Sequence, residues 1–66
     1  MKSNKLRAKI VERQVTHAEC ANLISISPQA FSQKLNGVTK FNIEECEKLG
    51  NYLEMSDSEK VDIFLS

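Results

Sequence analysis

Apolar positions along this chain recur at helical spacing, in short runs separated by polar punctuation. Leu6 and Ile10 stand four apart and mark the buried stripe of a first helix from about Ser3 or Asn4 to Gln14, with Met1 or Val11 at its edge. Thr16 followed three residues later by Glu19 is a capping box, and it opens a second helix that ends near Ile24 or Ser25. In that helix Cys20, Leu23 and Ile24 share a face bordered by Ala21, whose small side chain admits a close neighbour. Val15 before the cap and Cys20 after it have the spacing of a hydrophobic staple.

Ser27 caps a third helix from Pro28 to about Asn36. Proline suits the first helical position because its missing N–H would have no partner there. Ile26 and Phe31 repeat the staple spacing, and Gly37 fits the left-handed position that closes the helix. Asn42 with Glu45 caps a fourth helix to about Glu54, with Ile43, Cys46, Leu49 and Leu53 as its stripe. Gly50 inside it costs about 1 kcal/mol relative to alanine, which predicts close packing at that point. Ser56 with Glu59 caps a fifth helix to about Phe64, with Val61, Phe64 and Leu65 as its apolar residues. No stretch alternates with strand period. The expected architecture is all-α, a compact bundle of about five short helices.

Sixty-six residues bound a single domain, 1–66, with a modest core and little room for an enclosed catalytic cleft. The two cysteines, Cys20 and Cys46, lie in helical apolar patterns and read as reduced core residues. One histidine and two thiols make no metal-ligand set, so no metal or cofactor is expected. No apolar run approaches membrane length and no signal-peptide core opens the chain, so the expectation is a soluble, cytoplasmic (nucleoid-associated) protein.

The zero net charge conceals an asymmetry. Residues 1–40 hold seven basic and two acidic side chains, net +5, and residues 41–66 hold two basic and seven acidic ones, net −5. A basic first half hints at a polyanionic partner, and the bland alternative is two solvated surfaces that differ by chance.

On the third helix, about 100° per residue brings Phe31 and Leu35 to one side and Gln29, Ser32, Gln33 and Asn36 to the other. Ordinary solvated faces are rich in Lys and Glu, and this one is uncharged. Glutamine can bond both edge positions of adenine in the major groove, and serine serves several bases. Phosphate contacts would come from around it: Lys34, Lys40, the backbone after Gly37, and the start of the second helix at His17. The bland reading of Gln29 and Gln33 is plain surface. For His17 it is an exposed cap residue. Catalysis by His17 is not implied, since no nucleophile with an orienting acid accompanies it, and the chain does not read as an enzyme. Tyr52 reads as half-buried and structural. Glu44, Glu45 and Glu47 suit the start of a helix dipole, with a protein-binding surface as their functional alternative.

The stretch "THAECANLISISPQAFSQKLNG", with only about three residues between its helices, resembles the helix-turn-helix of the lambda repressor and Cro type, the XRE family, and phage and prophage regulators in particular. The motif spans about residues 16–37, and "IEECEKLGNYLEMSDSE" is similar to the helix that follows it. Ala21, Ile24, Ile26, Ser27, Phe31 and Asn36-Gly37 carry the likeness. The resemblance implies a lambda repressor-like DNA-binding domain acting as a sequence-specific transcriptional regulator, a repressor or Cro-like switch protein that binds a double-stranded DNA operator as a homodimer. It implies base reading by Pro28, Gln29, Ser32 and Gln33, and phosphate contacts from His17, Ser27, Asn36, Gly37 and Lys40. Two positions depart from the pattern. Ser25 replaces the usual turn glycine, which requires a non-glycine residue in an uncommon conformation, and Lys34 stands where an apolar residue is frequent. Val61, Phe64 and Leu65 are the candidate dimer surface. The competing reading is a protein-binding helix-turn-helix module, such as an antirepressor that contacts another regulator, since fold alone does not decide function.

Overall fold

In the computed structural model, which describes residues 1–65, the chain folds into α1 (Ser3–Glu12), α2 (His17–Leu23), α3 (Pro28–Leu35), α4 (Ile43–Tyr52) and α5 (Asp57–Phe64). No strand forms among the described residues. The bundle packs α2 on α3, α4 on α5, and α1 against both α3 and α5. Its centre is Phe31, Leu6, Ile10, Leu35, Leu49, Leu53 and Cys20, all essentially without exposure. No helix of the described residues is long and apolar enough to cross a membrane.

The helix starts follow side-chain chemistry. Thr16–Glu19, Asn42–Glu45 and Ser56–Glu59 are complete reciprocal capping boxes, and the Ser27 hydroxyl accepts from the Ala30 N–H at 3.1 Å. The α1 start has no such side chain. There the Lys2 N–H donates to the Ile63 carbonyl of α5 at 2.8 Å.

The helix ends follow backbone geometry. Gln14, Ser25, Gly37 and Glu54 all have φ between 56° and 83°. Each closes its helix in the same way: its own N–H bonds a carbonyl three residues back, and the next N–H bonds one five residues back. Three of the four are not glycine, so the chain carries left-handed strain at three turns. The non-glycine conformation expected at Ser25 is present, at φ 60°. The closure at Gln14 also stops α1 at Glu12, short of the expected Gln14.

Two apolar assignments need correction. Ile43, expected in the α4 stripe, is 82% exposed. It sits about 80° round the helix from Leu53 and in the first turn, beyond the reach of the core. On α5 the buried residue is Ile63, 4% exposed, whereas Val61 and Leu65 are 56% and 74% exposed and Phe64 is half-buried. Ile63 faces the core, and Val61, about 200° away on the helix, faces out. Neither Met1 nor Val11 is buried beside Leu6 and Ile10.

The close packing expected at Gly50 is present. A Cβ there would lie 2.8 Å from Cε and 2.9 Å from Cγ of Lys60, whose stem crosses α4 to reach Oδ1 of Asn51 at 2.5 Å. Cys20 and Cys46 are unpaired, and burial is the main cause pushing both thiols up from their ordinary range, which keeps them protonated at neutral pH. Tyr52 is 42% exposed and its hydroxyl donates to Glu19 at 3.2 Å, tying α4 to the start of α2.

Asp62 of α5 accepts from Lys2 at 2.5 Å and Lys5 at 2.8 Å, joining the two ends of the chain. The bond from Lys2, then that from Lys5, holds its carboxyl at about 2, below its ordinary 3.8. A depressed folded value means stabilisation that is complete above the ordinary carboxylate range and is lost as pH falls towards 2. Lys5, raised mainly by Asp62, loses its share only at strongly alkaline pH. The acid limb of thermal stability between about pH 4 and pH 2 should therefore be shallower in Asp62→Asn than in the parent protein. Melting curves across that range check this, and superimposable limbs would refute it.

Candidate nucleic-acid interface

The outward face of α3 is built by what its inward face buries. Phe31 and Leu35 have 0% and 1% exposure, and Phe31 is held between the rings of His17 at 5.6 Å and Phe41 at 5.9 Å. That leaves Gln29, Ser32, Gln33 and Asn36 exposed on the other side, with Pro28 exposed in the first turn. Short connections fix the helix: a four-residue turn, 24–27, joins it to α2, and the Gly37 closure ends it. A Cβ at Gly37 would meet nothing within 4 Å, so the backbone is open at this end of α3.

Around this face the expected phosphate-contacting residues divide. Ser27 is exposed, with its oxygen accepting the cap bond and its own proton still to donate. His17 is exposed as the first residue of α2, its ring tilted over Phe31. The carboxylate of Glu19 already stands at that helix start, accepting from the Thr16 N–H at 3.3 Å, so the positive end of α2 has an acidic occupant. Lys40 is exposed, and no ion pair engages its ammonium among the described residues.

Lys34 is turned away from the row. Its ammonium reaches Glu45 at 3.1 Å and the Lys40 carbonyl at 2.9 Å, and it lies 5.8 Å from the centre of the Phe41 ring. Its side chain is only 17% exposed, so the stem packs while the charge is tied down on α4. Lys34 is accordingly left out of the interface proposed below.

The structure also brings in a residue that periodicity did not mark. Arg7, on α1, donates to Oδ1 of Asn36 at the end of α3. An arginine has no acceptor, so this bond fixes the amide oxygen of Asn36 as the atom facing α1, while that oxygen keeps a second lone pair and the NH2 its donors. Nothing local in the sequence signals a contact that spans 29 positions.

The charge asymmetry of the two halves has an internal explanation. Lys2 and Lys5 pair with Asp62, Lys9 with Glu59, Arg13 with Glu54 and Lys34 with Glu45, so five of the seven basic residues of the first half meet acids of the second. The hint of a polyanionic partner drawn from that asymmetry is correspondingly weaker. The two remaining cations, Arg7 and Lys40, have no carboxylate partner among the described residues, and both belong to the surroundings of the α3 C-terminal end.

Comparison with protein-family models, curated proteins and solved structures finds no match. The residues themselves are what support a functional reading: a rigid helix exposing an uncharged row of amides and a hydroxyl, with positive charge left over at one end of it.

Proposed function

We propose that this chain is a sequence-specific DNA-binding regulator of the lambda repressor and Cro type, acting in the cytoplasm and inserting α3 into the major groove. The observation that carries the reading is the exposed Gln29–Ser32–Gln33 face with Arg7, a cation without a carboxylate partner among the described residues, bonded to Asn36 at its end. Base edges then fall to Pro28, Gln29, Ser32 and Gln33, and phosphates to Arg7, Asn36, Gly37 and Lys40, with Ser27 and His17 at the opposite end. The protein works as a homodimer in this reading. Ile43, Val61 and Leu65 expose apolar surface along a groove of about 500 Å³ whose rim carries Lys60 beside Asp57 and Glu47. A rim of both signs is compatible with a two-fold contact between identical surfaces, which must be self-complementary.

Selection of duplexes from a random DNA pool by the purified protein tests the proposal. Enrichment of a two-fold symmetric site, with halves about one helical turn apart, is the expected result. Failure to enrich any site overturns the reading and favours its competitor, a protein-docking module such as an antirepressor. The internal pairing of most cations is the observation on that competitor's side.

Two substitutions separate the assigned roles. Gln33→Ala should relax preference at one base position by roughly 1–3 kcal/mol, leaving other positions unchanged. Lys40→Ala should weaken binding to all sequences alike and lower the salt slope by about one unit. Titrations of matched and mismatched duplexes at several salt concentrations decide both, and a uniform loss for Gln33→Ala or an unchanged slope for Lys40→Ala would reassign the residue.

A further inference from the structure

We propose that Asn36 and Gly37 form a self-modification site: the Gly37 backbone nitrogen attacks the side-chain amide of Asn36 and turns it into a carboxylate, which switches off the phosphate-contacting end of α3. The conversion stands apart from the DNA-binding reading, and its consequence for DNA rests on that reading.

The reaction joins the Gly37 nitrogen to Cγ of Asn36 and breaks the bond from Cγ to the side-chain nitrogen. The proton of the Gly37 N–H passes by way of water to that departing nitrogen, which leaves as ammonia. Water then opens the cyclic imide, giving aspartate at position 36 or an isoaspartyl link in which the backbone runs through Cγ. Water is the only co-reactant, and nothing is oxidised or reduced.

The chain places the reactants together at one position. Asn4, Asn22, Asn42 and Asn51 precede Lys5, Leu23, Ile43 and Tyr52, whose side chains crowd the attacking nitrogen, and Asn36 precedes glycine. Asn4, Asn22 and Asn51 also lie inside helices, and the Asn42 oxygen is held by the Glu45 N–H at 2.7 Å. Asn36 is exposed and stands just past the last residue of α3. Around Gly37 there is open space, since a Cβ there would meet nothing within 4 Å, so the ring closes without a clash. Arg7 donates to Oδ1 of the amide under attack. Negative charge gathers on that oxygen as the nitrogen adds to Cγ, and a cationic donor already bonded to it stabilises the intermediate. A brake is built in as well. The Gly37 N–H is held by the Lys34 carbonyl at 3.1 Å and the Val38 N–H by that of Gln33 at 2.9 Å, so the end of α3 must open locally before attack. The site is thus a slow, one-way timer paced by openings of that turn. Its product sets a carboxylate against Arg7, which then has the acidic partner that most cations of the first half already have. The new negative charge also stands where phosphate would approach.

The test begins with the folded full chain, kept at mildly alkaline pH below its melting transition and peptide-mapped over time beside Arg7→Gln. Aspartate and isoaspartate should accumulate at position 36 several-fold faster than at the other four asparagines, faster as pH rises, and several-fold more slowly in Arg7→Gln. An Asn36 that converts no faster than the others overturns the site, and an equal rate in Arg7→Gln overturns the part given to Arg7. The aged chain and Asn36→Asp are then titrated on the duplex recovered by selection. Both should bind all sequences more weakly, with a salt slope smaller by about one unit. Asn36→Gln, whose longer side chain closes the ring far more slowly, should keep its affinity through the same ageing, which separates the conversion from other damage such as thiol oxidation. An Asn36→Asp variant that binds as tightly as the parent overturns the switch. A parent that recovers no duplex removes the DNA reading and the switch with it, and the peptide map still decides the conversion.

Discussion

Replacing Phe31 by alanine should lower the thermal midpoint by at least about 12 °C. Phe31 is fully buried, and its ring is in contact with His17 and Phe41. Truncating such a residue costs about 3–5 kcal/mol through lost transfer energy and the cavity left behind. A domain of this length has roughly 3–10 kcal/mol of stability in total. Each kcal/mol corresponds to about 4–8 °C. Phe31 is also what turns the amide face of α3 outward, so the variant should lose any function of that face together with its fold. Gln29→Ala, on the exposed side of the same helix, should stay within roughly 0.5 kcal/mol of the parent. Thermal unfolding of the two variants in parallel checks the pair. A small shift for Phe31→Ala would mean that the aromatic centre is not the keystone that its burial implies.

The opposite sign is expected from the helix ends. Gln14, Ser25 and Glu54 hold left-handed conformations at φ 56–60°, where a side chain costs about 1–2 kcal/mol. Glycine removes that strain and returns about 0.5–1 kcal/mol of it through the greater freedom of the unfolded chain. Glu54→Gly also gives up an exposed ion pair with Arg13, worth little. Each replacement nets about 0–1.5 kcal/mol, so the triple glycine variant should gain about 2 kcal/mol, a rise of roughly 8–16 °C in thermal midpoint. Gly37→Ala is the control. It has open space around the new methyl but φ of 83°, and should destabilise by strain alone. A triple variant no more stable than the parent would show that these turns are relaxed.

The same turns mark the limit of what the sequence discloses. Helix starts are legible because a capping box is a local pair of side chains: Thr16 with Glu19, Asn42 with Glu45 and Ser56 with Glu59 each announce one. Helix ends are legible at Gly37, whose residue type matches its conformation, and at Ser25 only against a family pattern that expects glycine there. At Gln14 the residue type gives no sign, and the first helix was expected to run two residues too long. Short helices blur periodicity in the same way. Over the eight residues of α5, Val61 and Ile63 are both plausible inward positions, and only the packing of the helix on α4 and α1 decides between them.

On the candidate interface, Gln29, Ser32, Gln33 and Asn36 share an exposed face as about 100° per residue requires. What periodicity could not supply was the fate of the cations. Lys34 is tied down by a partner eleven positions away and Arg7 is brought to the end of α3 by one 29 positions away, and such pairings are set by tertiary packing alone.

The closure of α1 on α5 bears on how the chain is made. The Lys2 amide and the Ile63 carbonyl that receives it are about 60 residues apart. A ribosome delivers α1 well before the helix that covers it, so one flank of Leu6 and Ile10 stays open to water until α5 follows. Adjacent helices such as α2 and α3 need only short loops to meet and can condense while the chain is still growing. The nascent protein thus finishes folding only when the residues around Ile63 emerge, and chains stalled before that point are the ones that expose an unfinished core to chaperones and proteases.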